Sequence, residues 1–139
     1  MRLSRPLRRD DGAAMVEMAI VLPIFLLLVW GVIDLGRLMF TANSMASAVR
    51  EGARQAAVMA DPVASQAVVK ARVDSAFTAF GGPAITDAEI SVDVTSVPGS
   101  VIVKVTNYPW PPITPLASLL GASVNITRQA TFRLERSSS

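Results

Sequence analysis

The chain has 139 residues, 51% of them hydrophobic, with a mean hydropathy of +0.44 and a formal net charge of +2. It contains no cysteine and no histidine, which excludes disulfides, Cys/His zinc sites, cysteine nucleophiles and any His-based triad. Acid–base catalysis would have to rest on carboxylates. No spaced carboxylate pair stands in a Gly-rich or nucleophile-elbow context, so the sequence predicts no enzyme and no cofactor.

Residues 1–12 hold Arg2, Arg5, Arg8 and Arg9 against Asp10 and Asp11, and so carry the whole net charge. The basic balance is local, which argues against a nucleic-acid surface. These residues read as a cytoplasmic leader in front of an anchor, with the C-terminus outside by the positive-inside rule.

Residues 13–33, AAMVEMAIVLPIFLLLVWGVI, contain one ionisable side chain, Glu17. At about 1.5 Å per residue the run reaches about 30 Å, the thickness of a hydrocarbon core. The anchor is expected over 13–34 and an exported domain over 35–139. Pro23 lacks an N–H and crowds the Ala19 carbonyl, which predicts a kink or local loosening. Asp34 and Arg37, three apart, are expected to mark the exit from the membrane.

Apolar residues recur at helical spacing well past the anchor, so one helix of about 45 residues and about 70 Å is expected. Ser44, Ala48, Gly52 and Ala56 form a strip of small residues four apart. Such a strip admits close approach, either of the protein's own sheet or of another subunit. Arg50, Glu51 and Arg54 are expected on the polar side. Asp61 as N-cap and Pro62 as first residue open a second helix over 63–80. Its apolar face is Val69, Val73, Ala76, Phe77 and Phe80, with Lys70, Arg72 and Asp74 solvated, and Gly81-Gly82-Pro83 ends it.

Alternation predicts strands over 89–97, 101–108 and 123–135, the first two joined by Pro98-Gly99-Ser100 as a hairpin. Arg128 interrupts the apolar face of the third. Four prolines in residues 109–115 predict a loop that is neither helix nor central strand. Residues 116–120 read as one helical turn and residues 136–139 as a frayed tail. Trp110 either presents a contact to a partner or covers the core edge. Asp87, Glu89 and Asp93 read as solvated carboxylates, and Asn125-Ile126-Thr127 as a chance sequon. The expected fold is α+β, with two helices and a small three-stranded antiparallel sheet packed on the exported half of the first.

The stretch 9–60 resembles the TadE-like proteins, minor pseudopilins of tight-adherence (Flp) pilus systems. The matching residues are Gly12, Glu17, Leu22-Pro23, the block Gly31, Asp34, Gly36 and Arg37, and the block Arg50-Glu51-Gly52-Ala53-Arg54. The resemblance implies cleavage between Gly12 and Ala13 by a prepilin peptidase. It also implies assembly with other pilins or pseudopilins and an inner-membrane platform, in a single-pass protein of the bacterial cytoplasmic membrane. In that setting the new Ala13 ammonium of one subunit could meet Glu17 of its neighbour. Without cleavage, Glu17 reads as an interfacial carboxylate reaching back to cytoplasmic water. The chain would then be an unprocessed accessory protein whose exported domain binds a partner.

Overall fold

The computed structural model describes residues 9–94, 96, 98–113 and 123–135, with side chains from Gly12 onward. Residues 1–8, the expected turn at 116–120 and the expected tail at 136–139 lie outside the described residues. The observed architecture is α+β: α1 (Arg9–Ala57), α2 (Gln66–Ala79), β1 (Ile90–Asp93), β2 (Ser100–Trp110) and β3 (Val124–Arg133). The sheet is antiparallel throughout, in the order β1-β2-β3.

α1 is a single helix of 49 residues, close to the length expected, and Pro23 lies inside it without ending it. Its two halves have opposite surroundings. From Gly12 to Ile33 every side chain except half-buried Val29 is exposed. From Leu38 onward one face turns inward, with Ala42, Met45, Ala48, Val49, Ala53 and Ala56 buried. That face packs on α2, β2 and β3, and shares one core with Val69, Val73 and Phe77 of α2 and with Ile90, Val101, Val103, Val105 and Ile126 of the sheet. Burying a side chain of this size contributes about 1.5–3 kcal/mol, so these few residues supply most of the drive to fold. Phe77 stands edge-on to Tyr108, with ring centroids 5.5 Å apart and planes at 80°.

α2 starts three residues later than the sequence suggests. The Asp61 carboxylate accepts the N–H groups of Val63 and Ala64 at 3.0 and 2.9 Å, as an N-cap does. The turn it caps does not run on as helix. Ser65 sits at φ −98°, ψ 18°, and the helical ladder restarts with Val69 bonded to the Ser65 carbonyl. The end of α2 follows the expectation. Gly81 adopts φ +79°, its N–H bonds the Thr78 carbonyl, and the Gly82 N–H reaches back to the Phe77 carbonyl, a Schellman closure. Phe80 lies at the C-cap, where the chain leaves the helix axis, and is half-exposed rather than part of the apolar face.

The hairpin turns at Gly99, φ +72°. β2 runs to Trp110 and so includes Pro109, which the sequence reading left in the loop. The reason is local. β1 pairs with β2 only from Ile102 to Val105, so at Tyr108 to Trp110 the middle strand has β3 alone as neighbour. There it behaves as an edge, where proline is tolerated. Between Val105 and Tyr108 the β2–β3 register shifts. Asn107 takes the left-handed conformation at φ +57° there, and its N–H is received by the Thr127 hydroxyl at 3.3 Å.

Candidate functional site: the anchor and its exit

Gly12, Ala13 and Glu17 all lie on α1, exposed, in the first turns of the helix. The apolar stretch that follows is long and apolar enough to cross a membrane once, and none of its most apolar window is buried within the protein. An exposed apolar surface of that extent is far beyond the few hundred Å² that soluble monomers usually show.

The strip Ser44, Ala48, Gly52 and Ala56 is buried inside this chain. Gly52 faces α2 at its closest approach: a Cβ there would overlap the Val73 side chain. The strip is thus occupied by the protein's own second helix as well as its sheet. The neighbouring Glu51 was expected on the polar side. It is half-buried and receives two arginines, Arg54 of its own helix at 2.7 and 3.0 Å and Arg72 of α2 at 2.7 Å. These hydrogen bonds, Arg54 first, hold its carboxyl down at about 2. Arg72 is therefore engaged, as are its neighbours. Lys70 donates to the Asp87 carbonyl at 2.9 Å, and Asp74 accepts the Ile85 N–H at 2.7 Å.

Asp34 and Arg37 sit where α1 passes from the exposed apolar run into the folded domain. Asp34 is buried, only 8% exposed. Its Oδ1 accepts the backbone N–H of Ile113 at 3.0 Å and lies 3.4 Å from Arg37 Nη1. The Arg37 guanidinium stands 5.6 Å from the centre of the Trp110 ring. Trp110 is buried and closes this end of the core. Spacing in the sequence suggested the Asp34–Arg37 pair. The bond to Ile113, 79 residues away, left no local signal, because nothing in a proline-rich loop says which helix it will lie against.

Two clefts border this framework. One of about 470 Å³ opens beside Arg37 between α1, the end of α2 and Trp110, and its titratable side chains are Arg37 and Tyr108. Burial, with Glu89 adding to it, raises the Tyr108 phenol above its ordinary value. The other, of about 620 Å³, holds Asp61 and Glu135 at the opposite end of the domain. Asp61 is already committed to its cap. Two further acids have local bonds: Glu89 accepts the Thr86 N–H at 2.9 Å, and Asp93 bonds the Ser96 hydroxyl. No group of three or more potential metal ligands occurs among the described residues.

No curated protein and no solved structure matches the chain. The family model described as TadE-like protein matches residues 12–54, a stretch that lies wholly on α1 and ends at Arg54, so that it includes the Glu51–Arg54 pair. Gly12, Glu17, Pro23 and the 50–54 block all fall inside that stretch, over which this chain is similar to the TadE-like family.

Proposed function

We propose that the protein is a membrane-anchored, TadE-like minor pseudopilin that takes part in assembling a tight-adherence pilus. The observation that carries this is the coincidence of the family match with an exposed apolar run long enough to cross a membrane. The chain's working part would be the anchor, and its chemistry association rather than bond-making. A prepilin peptidase would cut between Gly12 and Ala13. That bond lies on α1 ahead of the apolar run, and the residues on both sides of it are exposed. Cleavage removes the basic leader and creates an ammonium at Ala13. In a bundle of staggered anchors that ammonium would pair with Glu17 of an adjacent subunit. Each charge would then offset the cost of placing the other in hydrocarbon, which favours one register.

Intact mass of the protein recovered from membranes tests the cut: a mature chain beginning at Ala13 is expected. Retention of Met1 or Arg2 would instead indicate an unprocessed accessory subunit. Glu17→Ala should insert into the membrane normally yet lose pilus assembly. Wild-type piliation by that variant would end the proposed role of Glu17.

A further inference from the structure

The loop that Asp34 holds has an unusual backbone. Pro111 and Pro112 have no N–H, and the next donor, that of Ile113, is given to Asp34. Residues 111–113 thus carry no free backbone donor, a condition that irregular chain must approach before it can enter a low-dielectric layer. The Ile113 side chain is 62% exposed, and Leu35, one residue beyond Asp34, is 56% exposed. Both sit at the level where the apolar run of α1 ends. The Arg37 side chain is 43% exposed and lies one turn further out, where a guanidinium would meet lipid phosphates.

We propose that the 111–113 loop is a second membrane contact, in which Ile113 enters the interfacial layer of the bilayer beside the anchor and Asp34 fixes its depth. This rests on reading residues 13–33 as the anchor. The occupant is lipid and not another protein, because the exposed apolar surface is continuous with the anchor and its depth is set by a bond to the anchor helix itself. The carboxylate is suited to the task. It accepts the Ile113 N–H, the backbone donor of residues 111–113, and Arg37 offsets its charge.

The absence of native cysteine makes the test direct. The full chain would be reconstituted into phosphatidylethanolamine–phosphatidylglycerol vesicles after Ile113→Cys, Val32→Cys or Val58→Cys and labelling with an environment-sensitive fluorophore. Val58 lies just past the end of α1, about 35 Å beyond Asp34 along the helix axis, and serves as the aqueous reference. The label at 113 is expected to emit to the blue of that at 58, to be quenched by shallow nitroxide phospholipids and to be protected from iodide. Adding Asp34→Ala should lose that protection. If 113 behaves like 58 while 32 is quenched by lipid, the loop contact is wrong and the anchor stands. If 32 is itself open to iodide, the anchor reading fails and the loop contact with it. Protection at 113 that survives Asp34→Ala overturns the assignment of Asp34 as the group that sets its depth.

Discussion

Glycine at position 52 is required by space and not by backbone conformation. Its neighbours Ala48 and Ala56 are small and fully buried, but at Gly52 even a methyl group collides with Val73. Gly52→Val would force α2 away from α1 and disturb Val69 and Val73 together. Overpacking of this kind costs about 1–3 kcal/mol, and the loss should appear as a lowered midpoint in thermal unfolding of the detergent-solubilised chain. A midpoint equal to wild type would mean that α2 does not pack on α1 at this point. The block Arg50-Glu51-Gly52-Ala53-Arg54 thus has an internal explanation. Gly52 and Ala53 admit the second helix, and Glu51 binds it through Arg72.

The elements show which features could be read in advance. α1, the hairpin at Gly99 and the closure of α2 at Gly81 were legible because each is dictated by residues close in sequence: an apolar run, alternation, a glycine where φ is positive. The start of α2 was misplaced because Asp61 caps a turn and a helix with the same hydrogen bonds, and only the following residues decide between them. β2 was read too short because the rule against proline in a central strand depends on whether both neighbours are present at that residue. The Glu51–Arg72 bond joins two helices across 21 positions and has no local signature. It has a consequence in pH. Because the folded-state value is depressed, this pair's contribution is complete above the ordinary carboxylate value of 4.5 and is lost as pH falls toward about 2. The unfolding midpoint should therefore drop across that interval. Glu51→Gln, which removes the titrating group, should show a flatter profile there; an unchanged profile would show that other acids carry the acid sensitivity.

At the scale of the whole molecule, the exposed apolar run and the folded domain share one continuous helix with no linker between them. The apolar half is exposed along almost all of its length, and the other half is the spine of the core. A flexible hinge would let a domain tumble about its anchor; a continuous helix transmits position and direction instead. The family match ends inside the half that forms the core, so the matched stretch includes the surface on which the rest of the domain folds. The candidate site was legible only in its linear part: Glu17, Asp34 and Arg37 could be picked from the sequence, whereas Ile113 and Trp110 join them only through the fold.

Continuity of α1 also fixes an angle. Each residue of a helix turns the chain by about 100°, so the direction in which Glu17 points determines the direction in which the domain faces. Inserting one alanine between Ile33 and Asp34 would lengthen the rod by only about 1.5 Å but would rotate the domain by roughly a quarter turn relative to Glu17. The core lies almost wholly beyond the insertion, so stability should change little while assembly is lost. An insertion of seven residues, which restores the phase to within about 20°, should recover assembly better than the single one. Pilus yield from the two insertions would show whether neighbouring subunits read the bearing of the domain or only its height above the membrane.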